Sequence, residues 1–169
     1  MSVNPLGALF GNFNGAVELP ITENIGVEPT AGLIFGTTSN LFDSQWRRSG
    51  FSVGGRGKYY FSPEEDNDGF YAQVYARFKR TRFRVKEEDI AFDYYYRRTR
   101  VAAGLGVGFK YVADNGLVLD IGVGAGRAII NRYKWDDEYE SFFGVGDVFS
   151  GLTNLDFDGR LSIGYRLGH

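Results

Sequence analysis

The sequence predicts an all-β protein, an antiparallel up-and-down barrel of eight strands forming one domain over residues 1–169. Three observations carry that reading. Apolar residues recur at every second position over stretches of ten or more residues, which is the period of a pleated strand. The 24 glycines, about twice the usual share of roughly 7%, fall inside those stretches, where each would cost a helix about 1 kcal/mol. Turn signals cut the chain so that short turns alternate with longer connections, as the two ends of an up-and-down array require.

Taken in order, a short opening strand near 3–9 turns at Gly11-Asn12 into a strand over 13–20. Thr22-Glu23-Asn24 is a tight turn into 25–36, and a polar connection over 38–49 leads to 50–61. The run Ser62-Pro63-Glu64-Glu65-Asp66-Asn67-Asp68-Gly69 reads as a solvated turn; it lacks the Asp-x-Asp-x-Asp-Gly spacing of a calcium loop. Strand 70–84 sets Phe70, Ala72, Val74, Ala76 and Phe78 against Tyr71, Gln73, Tyr75, Arg77 and Lys79. After a connection over 85–94, strand 95–112 sets Val101, Leu105, Val107, Phe109 and Tyr111 against Arg98, Arg100, Gly104, Gly106, Gly108 and Lys110. Ala113-Asp114-Asn115-Gly116 turns into 117–134, where Leu119, Ile121, Val123 and Ile129 oppose Asp120, Gly122, Gly124 and Gly126. The longest connection, 135–154, precedes the last strand, 155–167, whose Phe157, Leu161, Ile163 and Tyr165 oppose Asp158, Arg160, Gly164 and Arg166.

Each strand therefore has one greasy face and one bare or charged face. A lipocalin-like soluble barrel turns the apolar face inward around a ligand, whereas a membrane barrel turns it outward against lipid. The glycine rows favour lipid. On a solvent face they would weaken the strands for no gain, but inside a narrow barrel they make room for long side chains from other strands. The apolar faces run for about 9–11 residues, the length with which a tilted strand crosses a bilayer. They end in Phe70, Tyr111, Tyr133, Trp135 and Tyr165, which suits the aromatic girdles of such barrels.

Composition removes other classes. With Cys 0 and His 1, at position 169, there is no thiolate chemistry and no imidazole base beside a serine, so catalysis and resident cofactors or metals are not expected. A net charge of -2 gives no global field for nucleic acid. No apolar run approaches the roughly 20 residues of a membrane-spanning helix. Met1-Ser2-Val3-Asn4-Pro5 carries neither a basic nor an apolar leader region, so the chain reads as cytosolic or as a mature form without its signal peptide.

The hairpin Gly15-Ala16-Val17-Glu18-Leu19-Pro20-Ile21-Thr22-Glu23-Asn24-Ile25 and the ending Leu161-Ser162-Ile163-Gly164-Tyr165-Arg166-Leu167-Gly168 resemble those of OmpA-type eight-stranded outer-membrane barrels of Gram-negative bacteria. Small relatives of that kind end their last strand in Gly-Tyr-Arg-aromatic, whereas Leu167 stands at the aromatic position here. The resemblance implies a mature outer-membrane protein with short periplasmic turns and longer extracellular loops. It also implies a monomer that meets the lipid bilayer and, during assembly, the outer-membrane insertion machinery.

Two candidate sites follow. Glu18, Glu28, Arg56, Lys58, Arg77, Arg98, Arg100, Asp120, Asp158, Arg160 and Arg166 share the polar-face parity, as do Lys79 and Lys110. Unpaired ions in a narrow lumen cost several kcal/mol each, so these groups are expected to form a lumenal network of ion pairs and tyrosine hydrogen bonds, with Arg166 a candidate partner for Glu18 and Glu28. Such a network is a plug or, in the sharper reading, a selectivity path or proton relay. By parity Arg80, Arg82, Arg84 and Arg97 point outward just beyond the apolar band, with Arg127 a further candidate. Guanidinium groups there match lipopolysaccharide phosphates; the plainer reading is solvated strand extensions. Asp136-Asp137-Glu138-Tyr139-Glu140-Ser141-Phe142-Phe143 and the residues to Phe149 form an acidic, then aromatic loop that either folds over the barrel mouth or docks a partner. The functions that remain are a structural or surface-interaction barrel with a closed lumen, a narrow channel or transporter of small or hydrophobic compounds, and a soluble lipocalin-like binder.

Overall fold

A computed structural model describes residues 1–4, 11–39, 45–63, 67–86, 94–135 and 154–166. Its strands are β1 (Ser2–Asn4), β2 (Asn12–Ala16), β3 (Leu19–Pro20), β4 (Ile25–Ser39), β5 (Gln45–Tyr60), β6 (Gly69–Lys86), β7 (Tyr94–Val112), β8 (Leu117–Trp135) and β9 (Leu155–Tyr165). β2 and β3 both pair with β4 and occupy a single strand position, so the wall has eight positions. Neighbours are antiparallel throughout, and the ring closes where β2 pairs with β4 on one side and β1 on the other. No helix occurs among the described residues.

The pleat sorts side chains as the alternation predicts. In β9, Asp156, Asp158, Arg160 and Ser162 are buried while Leu155, Phe157 and Ile163 are exposed. The largest apolar groups lie outside: Leu105, Phe157 and Ile129 keep 68%, 71% and 72% of their surface. The innermost side chains are polar or phenolic, led by Tyr60 at 0% and Lys58 and Glu28 at 1%.

The glycine rows meet across one pair of strands, with Gly104, Gly106 and Gly108 in register with Gly126, Gly124 and Gly122. Side chains from β6 fill the space they leave. A Cβ on Gly104 would stand 2.6 Å from the Tyr75 hydroxyl, one on Gly122 2.8 Å from that of Tyr71, and one on Gly106 2.8 Å from Gln73 Nε2.

Several expected boundaries shift. The predicted strand over 13–20 breaks into β2 and β3, leaving Glu18 in the gap, from which it reaches Lys58. Of the expected opening strand over 3–9, β1 covers the start and residues 5–10 lie outside the described residues. The polar connection over 38–49 is mostly strand, since β4 and β5 stay paired out to Ser39↔Gln45. β6 and β7 likewise reach Lys86 and Tyr94. These extensions are polar or arginine-rich, so apolar alternation could not mark them.

A β-bulge corrects the face of the end of β8. The register shifts between Val101 and Ala102, which face Ile130 and Ala128, leaving Ile129 as the extra residue. An extra residue exchanges the two faces beyond it. Tyr133 therefore sits opposite lumenal Arg98 and under its guanidinium, not on the apolar girdle, while Arg132 and Lys134 turn outward. Trp135 pairs with Tyr96 along the ladder, and its side chain lies outside the described residues.

Asn67 departs from the solvated-turn expectation. It is 1% exposed and adopts φ 61°, a left-handed conformation that asparagine tolerates. Its Nδ2 donates to the carbonyls of Thr22 (2.9 Å) and Glu23 (3.2 Å), which pins two turns at one end of the barrel together.

Candidate functional site

The lumen holds a continuous set of ion pairs in the half nearer the 21–24 and 113–116 turns. Lys58 Nζ stands at its centre, 2.7 Å from Glu18 Oε2, 2.7 Å from Glu28 Oε2 and 2.9 Å from Asp120 Oδ2. One ammonium from β5 thus ties together the β2–β3 gap, β4 and β8, on facing walls. Oxygens of these three carboxylates lie within 4.8 Å of one another, a spacing a metal ion also accepts, but the ammonium occupies their centre.

Arg160 adds a second bridge. It pairs with Glu28 at 2.5 Å and Asp120 at 2.9 Å, and it donates to the Tyr71 hydroxyl. Tyr71 donates to Asp120 (2.6 Å) and Tyr60 to Glu18 (2.6 Å), so phenols supply the hydrogen bonds the carboxylates still need. Arg56 joins Glu28 (2.9 Å) to Asp158 (3.2 Å), and Lys110 reaches Glu18 at 3.2 Å. Further along the axis, Arg77 holds Asp156 (2.6 Å) and Asp158 (3.1 Å), and Tyr75 donates to Asp156 (3.1 Å). Charges taken from water remain stable only when paired and hydrogen-bonded in this manner.

The expected residues divide between this cluster and its margins. Glu18, Glu28, Arg56, Lys58, Arg77, Asp120, Asp158 and Arg160 come together as one network. Arg100 lies at its edge, 3.4 Å from Asp156 and donating to the Leu155 carbonyl. Arg98 is directed elsewhere, to Asn131 Oδ1 (2.9 Å) and the Tyr133 ring (5.1 Å). For Glu28 the cations are Arg56, Lys58 and Arg160, and for Glu18 they are Lys58 and Lys110; Arg166 is fixed through its backbone N–H to the Gly116 carbonyl (2.8 Å). Asp156, Tyr60, Tyr71 and Tyr75 complete the set and were not singled out from the sequence, although all four lie on the polar parity.

The outer arginines form adjoining rows. Ser49, Arg82, Arg97 and Lys134 are in register across β5 to β8, and the row beside it holds Phe51, Arg80, Thr99 and Arg132. Beyond them Arg47 faces Arg84, which faces Tyr95. Arg82 and Arg84 lie over the Tyr95 ring at 4.9 and 5.7 Å and, with Arg47, line a recess of about 360 Å³. Arg47, Arg132 and Lys134 extend the cluster expected from sequence; the bulge hid the last two. Arg127 stands apart, in register with Ala103 and Leu155. The loop from Asp136 to Phe149 lies outside the described residues.

Fold and site define a class: a closed eight-stranded antiparallel barrel with a charged, ion-paired interior and an apolar outer wall. No protein-family model, curated protein or solved structure matches the chain.

Proposed function

We propose that the protein is an outer-membrane barrel of a Gram-negative bacterium, of the OmpA type, with a lumen closed by its ion pairs and a non-enzymatic, structural or surface-interaction role. One observation carries the reading: the polarity of the wall is inverted relative to a water-soluble core. The buried set includes Glu28, Lys58, Asp120, Asp158 and Arg160, while Leu105, Val107, Phe109, Ile121, Val123 and Phe157 lie exposed. A contiguous apolar band of that kind is foreign to soluble monomers, and each such side chain gains about 1.5–3 kcal/mol on leaving water. On β7 the band runs over residues 101–111, enough for a tilted strand to cross a bilayer.

In this frame the outer cations sit at the extracellular edge of the band, where arginine costs about 0–1 kcal/mol rather than the 2–4 of the midplane. Arg80, Arg82, Arg84 and Arg97, with Arg47, Arg132 and Lys134, then contact the phosphates of lipopolysaccharide. The partners are the lipid bilayer, lipopolysaccharide and the insertion machinery, with the barrel a monomer.

A second reading, a barrel that takes a soluble ligand or passes a small compound, draws on the recess of about 690 Å³ beside Arg56, Arg77 and Asp158. Refolding separates a membrane barrel from a soluble binder, and single-channel conductance separates a closed lumen from a channel. A compact monomer whose gel mobility changes on boiling is expected only with detergent; a compact monomer in plain buffer would overturn the membrane reading. Charge reversal of Arg80, Arg82 and Arg97 is expected to cut lipopolysaccharide co-purification severalfold, and unchanged co-purification removes the phosphate contact.

A further inference from the structure

Beyond the ion-paired network, toward the segments 40–44 and 87–93, the character of the lumen changes. A recess of about 170 Å³ there is lined by Arg48, Lys79, Arg98 and Arg100, with Asn12 and Thr81 as neutral polar neighbours. Ile34 and Phe83 close its walls. Its four cations come from β5, β6 and β7 and converge on one space. Among the described carboxylates Asp156 and Asp158 lie nearest this group, and Arg77 holds Asp156 more closely than Arg100 does, at 2.6 Å against 3.4 Å.

Lys79 makes the imbalance plain. It forms no hydrogen bond or ion pair with a described residue, and the charges around it are Arg77 and Arg100 as well as Asp156 and Asp158. Arg100 adds a buried Nε–H with no partner. A recess of this size equals about five or six waters at roughly 30 Å³ each, room for a small anion with part of its hydration shell. A cluster of guanidinium and ammonium groups behind a low-dielectric wall concentrates anions, and guanidinium matches oxyanions through paired N–H donors.

We propose that this recess is a binding site for a small oxyanion, of the phosphate or sulfate kind, held by Lys79 and Arg98 and stopped from passing further by the Arg77–Asp156–Asp158 ion pairs. The site is a dead end, not a conduit. It depends on the inner wall alone and holds whichever solvent meets the outer wall, so its failure and that of the membrane reading are distinguishable.

The test is titration of the refolded full chain in dodecyl maltoside, which carries no phosphate, with inorganic phosphate at ionic strength held constant by sodium chloride. If plain buffer supports the fold, the same titration applies there. The unfolding midpoint is expected to rise saturably with phosphate and not with chloride. Lys79→Gln combined with Arg98→Gln should weaken binding about tenfold or more, the loss of a charged hydrogen bond, while Arg127→Gln, on the outer wall and apart from the arginine rows, leaves it unchanged. No saturable rise, equal binding by the double variant, or loss through Arg127→Gln alone would each overturn the proposal. Should the double variant fail to refold, crystals of the unaltered chain soaked in selenate decide: anomalous density between Lys79 and Arg98 supports the site, and its absence there removes it.

Discussion

The two halves of the lumen are built from the same residue types and solve the burial of charge differently. Around Lys58, that ammonium faces three carboxylates, Arg56 and Arg160 face two each, and each carboxylate meets at least two donors. Around Lys79 and Arg98, the described groups are further cations, the carboxylates Asp156 and Asp158 that Arg77 already holds, an asparagine and an aromatic ring. The first arrangement is a cross-brace between walls, in which every member depends on the others. The second leaves the Lys79 ammonium without a hydrogen bond or ion pair among the described residues, which serves recognition better than stability. A protein whose interior charges were only filler would pair both halves alike.

Lys58→Met is the largest test of that contrast. It removes the ammonium that three carboxylates share, leaving Glu18, Glu28 and Asp120 crowded together, and breaking one partner of a buried pair costs about 3–5 kcal/mol. Urea unfolding of the refolded barrel should show that loss, and adding Glu28→Gln should recover part of it by removing one stranded charge. A loss under 1 kcal/mol would mean that the brace is not one. Tyr71→Phe ranks next. It deletes the hydroxyl that donates to Asp120 and accepts from Arg160, with an expected loss of about 1–3 kcal/mol in the same assay. The residual ion pair between Arg160 and Asp120 at 2.9 Å keeps the effect below that of Lys58.

The same contrast explains what could be read from the chain. Strand number, the inner and outer faces and the charges that turn inward are legible because a period of two fixes parity without knowledge of partners. Who pairs with whom is not. Arg160 and Glu28 are 132 residues apart, and their meeting depends on register and stagger around the whole ring. Arg166, three positions on along the same face, was an equally good candidate by parity. The bulge at Ile129 defeated parity itself, although a sign of it was present. Two successive apolar residues, Ile129-Ile130, follow an alternation that is regular from Leu119 to Ala125. Taken as a slip, that pair would have turned Tyr133 inward and placed Arg132 and Lys134 with the outer arginines. Asn67 was hidden because its burial comes from a neighbouring turn, not from its own strand.

Arg98→Gln gives the smallest expected effect and the sharpest check on the difference between the halves. Arg98 spends its Nε–H on Asn131 and stacks its charge over Tyr133, contacts worth about 1 kcal/mol together in a setting of this kind. The substitution also removes repulsion from Arg100, which lies on the same face two residues away. The two effects oppose, so the unfolding midpoint in urea should change by less than about 1 kcal/mol equivalent, against several for Lys58→Met. Added phosphate should then stabilise the Arg98→Gln barrel less than the unaltered one, which separates a recognition role from a structural one. A loss as large as that of Lys58→Met would erase the distinction, because Arg98 would then brace the wall as the paired cations do.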